Sequence, residues 1–169
     1  MRTALRSADS KILFGIQKHL RCELGDRIIP HLSALGNCGA IWLCSAAAAI
    51  CFDRTRKTGL NVLQALFFSI ILIALLKHIF CRPRPCDEHK NIKLLIRRPP
   101  DHSFPSGHAL SSFAAATALA AAGSVIGIPA LFLAALIAFS RLYLFVHYPA
   151  DVLAGSILGV LTGIVSILI

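Results

Sequence analysis

Charged side chains are scarce in this sequence, and four long stretches lack them altogether. Only 15% of the 169 residues are Asp, Glu, Lys or Arg, and none occurs in residues 28–52, 60–76, 109–139 or 152–169. An apolar fraction of 56% would not decide the class of protein by itself, because soluble domains are nearly half apolar. The uncharged stretches decide it, since a membrane-spanning helix needs about 17–25 mostly apolar residues.

The stretch 109–139 is 31 residues long and exceeds one ordinary span. Gly123, Gly127 and Pro129 lie near its middle, where a turn between two helices is expected. Dividing it there predicts five spans, at roughly 29–52, 60–80, 105–122, 128–147 and 150–169. A chain of 169 residues has room for one domain. We therefore expect residues 1–169 to form a single all-α bundle in the membrane.

The amino terminus lacks the continuous apolar core of a cleaved signal peptide. In residues 1–27, apolar positions such as Ile12 and Ile16 alternate with basic positions such as Lys11 and Lys18. This pattern is typical of an amphipathic helix that lies in the membrane interface.

Acidic residues are few, with 8 Asp and Glu against 17 Lys and Arg and a net charge of +9. Basic residues beside spans favour anionic membrane lipids over nucleic acid as the partner. No carboxylate cluster and no metal-ligand spacing of Cys and His is evident, so no metal or other cofactor is expected. Cys81 and Cys86 are either a disulfide in an oxidising compartment or two reduced thiols.

Four polar clusters lie at the ends of the predicted spans. They are Lys77 with Arg82-Pro83-Arg84-Pro85, then Pro105-Ser106-Gly107-His108, then Ser140-Arg141, and finally His147 with Asp151. Helices joined as hairpins alternate in direction, so all four clusters are expected at one membrane face. An arginine just inside a span, such as Arg141, is costly unless it faces a partner or water, which favours a functional site.

These side chains suit a phosphate ester. Pro105 and Pro149 are expected in the first turns of helices, and the free amides of a helix start attract anions. Histidine works as base or acid near neutral pH. Taken singly, the residues also have structural explanations: Lys77 as an interface anchor, Ser106 as a helix cap and Arg82 as a solvated charge. Their convergence favours a site over scattered structural roles.

The order and spacing of these residues resemble the three signatures of the type-2 phosphatidate phosphatase superfamily. Lys77, six residues and Arg84-Pro85 are similar to the first signature, and Pro105-Ser106-Gly107-His108 is similar to the second. Ser140-Arg141, five residues, His147, three residues and Asp151 are similar to the third. Residues 1–76 carry no signature, and members of the family often have six spans where five are predicted here.

The resemblance implies a metal-independent phosphohydrolase that acts through a phosphohistidine. By position, His147 would be the nucleophile, Asp151 its orienting carboxylate and His108 the general acid. The phosphoryl oxygens would be held by Lys77, Arg84, Ser106, Gly107 and Arg141.

The resemblance also implies a lipid phosphate as the substrate. Undecaprenyl diphosphate and phosphatidylglycerophosphate are the leading candidates, with phosphatidate and lipid A phosphates as alternatives. Arg82 would either help to hold a second phosphate or be a solvated charge. Related haloperoxidases use a similar constellation around vanadate but are soluble, so the spans argue against that activity. A non-catalytic binding or transport protein would need the cations but not the pair of His147 and Asp151.

The charge patterns in this sequence conflict about the side of the membrane on which the site lies. The expected location is a bacterial inner membrane with the site on the extracytoplasmic face, which agrees with Arg54, Arg56 and Lys57 in a cytoplasmic loop. The basic residues of the amino-terminal segment and of residues 81–104 favour the reverse orientation. The oligomeric state is not specified by any pattern.

Overall fold

The structure is a computed structural model that describes residues 2–169, with the side chains of residues 7–123 and 125–169. Every regular element in that part of the chain is helical, which confirms the predicted all-α class. The helices are α1 (Arg2–His19), α2 (Glu23–Leu35), α3 (Ala40–Ile50), α4 (Arg56–Phe80), α5 (Pro85–Glu88), α6 (Gly107–Ala120), α7 (Ser124–Tyr143) and α8 (Pro149–Leu168). Residue 1 and the side chains of residues 2–6, which belong to the predicted interfacial segment 1–27, lie outside the described part.

Helix α6 is the centre of the bundle and packs against α4, α7 and α8. Most of its residues are small, and eight of them are buried, which lets neighbouring backbones approach closely. The facing side of α8 carries Gly155, Gly159 and Gly163, and a Cβ added to Gly155 would lie 2.7 Å from the backbone oxygen of Ser106. This close packing places the first turn of α6 against the first turn of α8.

The outer faces of the bundle are apolar and suit a lipid environment. Large apolar side chains such as Leu43, Phe67, Phe132 and Leu161 are exposed there. Three helical segments are each long and apolar enough to cross a membrane: Arg56–Glu88, which comprises α4 and α5, and the helices α7 and α8. The bent pair of α2 and α3 counts as a fourth candidate. Helix α6 has 14 residues and a length of about 21 Å, shorter than the roughly 30 Å hydrocarbon layer.

The predicted first span, 29–52, is two helices that meet at an angle of 50°. A 3-10 turn over Asn37–Gly39 separates them, and Cys38 and Gly39 have left-handed φ angles of 52° and 68°. A Cβ added to Gly36 would lie 2.8 Å from Cδ2 of His108. The bend therefore places the junction of α2 and α3 directly against the start of α6.

The two prolines expected in first turns behave differently. Pro149 begins α8 as predicted, and the Asp151 carboxylate accepts a hydrogen bond from the amide of Tyr148 at 2.9 Å, which caps the helix. Pro105 does not begin α6, because Ser106 is the N-cap and Gly107 is the first helical residue. The expectation for Pro105 is wrong by two positions, since the Ser106 side chain provides the cap that ends the preceding loop.

Candidate active site

The eight predicted site residues meet at one end of the bundle, where α4 and α7 end and α6 and α8 begin. Six of them line a cleft of about 510 Å³: Lys77, Arg84, Gly107, His108, Arg141 and His147. The other two, Ser106 and Asp151, are buried behind this cleft. The Ser106 amide donates to the backbone oxygen of Asp151 at 3.0 Å, so the starts of α6 and α8 are held together.

His147 lies in the loop between α7 and α8 and is 1% exposed. Its Nε2 is 3.0 Å from Nη1 of Arg84, and because a guanidinium only donates, Nε2 accepts and Nδ1 carries the proton. Burial and then the charges of Arg84, Arg141 and Lys77 lower the pKa of His147 well below its usual value. The imidazole is therefore neutral near neutral pH, and its Nε2 lone pair faces the cations of the cleft.

Asp151 is fully buried and hydrogen-bonded through both carboxylate oxygens. Its Oδ2 accepts from the Ser103 hydroxyl at 2.5 Å and from the Tyr148 amide, and its Oδ1 accepts from Arg82 at 2.7 Å. Oδ2 is 3.8 Å from Nδ1 of His147, which is too long for a hydrogen bond. The Ser103 hydroxyl oxygen is 3.5 Å from the same Nδ1, so Ser103 lies between the carboxylate and the imidazole.

Asp101 holds two of the predicted phosphate-binding cations. Its carboxylate accepts from Nη2 of Arg84 at 2.6 Å and from Nζ of Lys77, and its backbone oxygen accepts from Nε of Arg84 at 2.7 Å. Burial raises the pKa of the Asp101 carboxyl, but the Lys77 hydrogen bond and the charges of Lys77 and Arg84 outweigh it and lower the pKa to about 2. An ionised carboxylate thus lies where these two cations converge.

Arg141 supplies a donor that no described group of the chain satisfies. Its Nη1 donates to the Ser33 hydroxyl, whereas its Nε is the only buried side-chain nitrogen or oxygen without a hydrogen-bond partner in the part of the chain that the structure describes. A buried donor without a partner is costly. Arg141 also lines the cleft, so its guanidinium is placed to meet an oxyanion bound there.

The cleft has an apolar arm, and a basic cleft adjoins it. The apolar arm is lined by side chains of α3 and α4, among them Leu43, Leu66 and Ile70. A second cleft, also of about 510 Å³, is lined by Arg97 and Arg98, and it shares His108 and Arg141 with the first. His108 and Arg141 therefore lie where the apolar arm and the basic cleft meet.

Sequence reasoning missed three residues at this end of the bundle and the pairing of a fourth, Arg82. The Arg82 side chain is 18% exposed in the structure and bonds Asp9 and Asp151, so it is not the solvated charge that was considered. Asp101 and Ser103 belong to the loop just before the second signature, and proximity to that motif was their only signal. Asp9 is 73 residues away from Arg82, and no local pattern connects the two positions.

The cysteines and potential metal ligands add little to this site. Cys81 is an exposed thiol and Cys86 a buried one, and both are free, so the structure favours the reduced alternative. Within residues 2–169, no group of three or more His, Cys, Asp and Glu side chains is placed to hold a metal ion.

Comparisons with known proteins agree with the geometry of the site. The family model described as the PAP2 superfamily matches residues 58–169. The undecaprenyl-diphosphatase of Sulfolobus acidocaldarius is 36% identical over 120 residues, which cover 70% of this chain and 58% of that protein. The chain thus spans less than two thirds of the length of that relative.

Two solved structures share nearly the whole architecture. The crystal structure of LpxE from Aquifex aeolicus superposes with a TM-score of 0.84 at 28% identity and covers 94% of each chain. The transmembrane PAP2 type phosphatidylglycerolphosphate phosphatase from Bacillus subtilis superposes with a TM-score of 0.78 at 25% identity, covering 96% of this chain and 84% of that one.

Proposed function

Because the chain belongs to the PAP2 superfamily, we propose that it hydrolyses the phosphate or diphosphate headgroup of a membrane lipid through a phosphohistidine and without a metal. The observation that carries this proposal is the position of His147. Its unprotonated Nε2 faces a cleft lined by Lys77, Arg84 and Arg141, and the cleft continues into an apolar arm. A nucleophile, an oxyanion site and space for a lipid chain are therefore contiguous.

In the first step, Nε2 of His147 attacks the phosphorus atom, an N–P bond forms and the bond from phosphorus to the leaving oxygen breaks. The leaving oxygen is the lipid oxygen of a monoester or the bridging oxygen of a diphosphate. His108 gives its proton to that leaving oxygen, and the negative charge of the bound phosphoryl group favours the protonated imidazole that this requires. In the second step a water molecule attacks the phosphohistidine and gives its proton to His108. The N–P bond breaks, orthophosphate leaves and His147 is regenerated.

Fixed positive charge replaces the role that a metal has in many phosphoryl-transfer sites. Charge develops on the three equatorial oxygens of the transferred group, and donors aimed at that charge before the reaction stabilise the transition state. Lys77, Arg84 and Arg141 line the cleft and are such donors. The start of α6 at Gly107 adds the positive end of a helix, whereas the Ser106 amide is already bonded to the backbone oxygen of Asp151.

The apolar arm and the basic cleft support a lipid with a charged headgroup as the substrate. An acyl or prenyl chain fits the arm lined by Leu66 and Ile70, and Arg97 and Arg98 are suited to a second phosphate or a polar head. Undecaprenyl diphosphate and phosphatidylglycerophosphate remain the leading substrates. The names of the relatives from Sulfolobus acidocaldarius and Bacillus subtilis support these two classes.

The relatives also support a location in a bacterial inner membrane, and we place the site on its extracytoplasmic face. Arg54 lies between α3 and α4, and Arg56 and Lys57 are the first two residues of α4, at the end opposite Lys77. All three would then be cytoplasmic.

The test is phosphate release by purified, detergent-solubilised protein in EDTA. The panel holds undecaprenyl diphosphate, phosphatidylglycerophosphate, phosphatidate and a lipid A phosphate. We expect release from at least one lipid, loss of at least about a thousandfold in His147→Ala because the nucleophile is gone, and full activity in His31→Ala, which replaces an exposed histidine of α2.

Other outcomes would contradict parts of the proposal. Release that EDTA abolishes and magnesium restores would overturn the metal-independent mechanism. Lipid binding without release, unchanged in His147→Ala, would indicate a binding or transport protein.

A further inference from the structure

The amino-terminal helix reaches the buried carboxylate of the site through one arginine. Arg82 donates from Nη1 to Oδ1 of Asp151 at 2.7 Å and from Nη2 to Oδ2 of Asp9 at 2.6 Å. The guanidinium therefore bridges a carboxylate of α1 and a carboxylate of α8. The exposed fractions of the three side chains are 9% for Asp9, 18% for Arg82 and 0% for Asp151, so this chain of ion pairs is shielded from solvent.

Two further contacts determine the position of this arginine. The other oxygen of Asp9, Oδ1, accepts from the amide of Ala150 at 3.0 Å, which ties α1 to the first turn of α8. Cζ of Arg82 lies 4.2 Å from the ring centroid of Tyr148, within the range of a cation–π interaction. Asp9 and Tyr148 thus restrict the guanidinium to one orientation.

Helix α1 packs against the loop that carries His147. Leu13 is fully buried in a cluster with Phe145 and Val146, and Nε2 of Gln17 donates to the backbone oxygen of Tyr143 at 2.8 Å. One face of the predicted interfacial helix is therefore part of the bundle, and Asp9 lies on that face.

We propose that Arg82 and Asp9 are positioning residues for Asp151, which makes α1 part of the machinery of the site. Asp9 orients Arg82, and Arg82 favours the ionised form of the Asp151 carboxylate. It also turns that carboxylate so that Oδ2 accepts from Ser103, which lies between Asp151 and His147. The inference rests on the proposed function, because it assigns these residues to the reaction carried out at His147.

The groups around Asp151 give the direction of the expected pH effect. The titratable or charged groups that face it are Arg82, His147 and Tyr148, with Asp9 behind Arg82 and Glu88 hydrogen-bonded to the Tyr148 hydroxyl. Of these, Arg82 is the only permanent cation in contact with the carboxylate. Its removal favours the protonated form of Asp151, so the acid limb of kcat should move to higher pH.

The experiment compares kcat and KM across pH for the wild type, Arg82→Gln, Arg82→Lys, Asp9→Asn and the double variant Asp9→Asn with Arg82→Gln. We expect kcat to fall about 10- to 100-fold in Arg82→Gln, as is usual when the outer partner of a catalytic group is removed, with little change in KM. Arg82→Lys should recover part of the loss. Because Asp9 acts through Arg82, the double variant should be no slower than Arg82→Gln alone.

Glu23→Gln is the matched control for Asp9→Asn, since it removes an exposed carboxylate at the start of α2 and should leave kcat unchanged. A purely structural ion pair would lower the thermal midpoint of the variants but leave kcat and its pH profile intact, which would overturn the inference. Additive losses in the double variant would also overturn the claim that Asp9 acts through Arg82.

Orthovanadate separates this inference from the proposed function. Vanadate mimics the phosphoryl group in transfer, so its affinity, measured by 51V NMR in the same detergent, depends on His147 and on its supporting groups without any lipid substrate. Weaker binding by Arg82→Gln and Asp9→Asn than by Glu23→Gln supports the inference even if the wild type releases phosphate from no lipid. Equal binding by all variants, or no binding by the wild type, contradicts it.

Discussion

At the scale of single residues, the site contains an acidic group among cations that are expected to bind phosphate. The Asp101 carboxylate and the phosphoryl group of a substrate both require Lys77 and Arg84. Asp101 is half exposed, so it can move aside as the substrate enters. Its charge nevertheless opposes any anion that approaches these two cations.

Asp101→Asn is therefore expected to tighten inhibition by orthovanadate, by about three- to tenfold, or roughly 1 kcal/mol. Because the pKa of Asp101 is lowered to about 2, the carboxylate is ionised throughout the neutral and mildly acidic range. The difference between wild type and variant should then be constant there and disappear only as the pH falls through that pKa.

The inhibition constant for orthovanadate, measured across pH in wild type and variant, checks this prediction. Asp53→Asn serves as the control, since Asp53 is fully exposed in the turn before α4, far from the site. Weaker inhibition in Asp101→Asn would instead show that the carboxylate mainly orients Lys77 and Arg84.

The sequence identified the residues that belong to compact motifs, and the structure brings all eight of them together. It did not identify Ser103, which lies between His147 and Asp151, because a serine in an irregular loop has no periodicity to reveal its direction. Arg82 was visible as a charge, but its partner Asp9 is on a helix far away in sequence. Such pairs arise only when the whole chain has packed.

At the scale of helices, uncharged runs predicted where most of the elements lie but not their shape. The sequence did not predict the bend between α2 and α3, because Cys38 and Gly39 change the backbone direction without adding charge to the uncharged run. A Cβ at Gly36 would lie 2.8 Å from side-chain atoms of both His108 and Ile137, and neither neighbour is local in sequence. The sequence also did not predict that α6 is shorter than the span 105–122. The Ser106 side chain caps the helix one residue after Pro105, so the helix begins at Gly107.

The packing of α8 on α6 leads to a prediction for Gly155. A Cβ at this position would lie 2.7 Å from the Ser106 backbone oxygen and 3.2 Å from Cβ of Ala109. Gly155→Ala should therefore destabilise the protein by about 1–3 kcal/mol, as overpacking usually does. It should also reduce activity, since it displaces the start of α6 beside His108.

Gly15→Ala is the matched control, because Gly15 lies inside α1 and a Cβ there would meet no atom within 4 Å. Alanine is the better helix former, so this variant should gain about 0.5–1 kcal/mol. Thermal unfolding of the detergent-solubilised proteins measures both effects. Equal shifts in the two variants would refute close packing between α6 and α8.

At the scale of the whole molecule, the net charge of +9 does not by itself orient the protein in the membrane. The basic residues at the junction of α3 and α4, Arg54, Arg56 and Lys57, lie at one end of the bundle, and the basic residues of the site lie at the other. The structure weakens the charge argument from residues 81–104, because the partly buried Arg82 and the buried Arg84 are paired with Asp9, Asp101 and Asp151. Charges neutralised in this way contribute little to the positive-inside bias, which favours an extracytoplasmic site.

Two native cysteines provide a direct test of this orientation. Cys51 follows α3 and Cys81 ends α4, and both are exposed. Helix α4 between them has 25 residues and a length of about 37 Å, enough to separate the two thiols across the membrane. In variants that retain one of these cysteines and have serine at the other five positions, a membrane-impermeant maleimide should label Cys81 in intact cells. Cys51 should be labelled only after the cells are permeabilised.

Both variants must keep wild-type phosphate release, because only then does labelling report the functional orientation. The opposite pattern would place the active site in the cytoplasm, where the basic amino-terminal segment would then agree with the positive-inside rule and the loop between α3 and α4 would not.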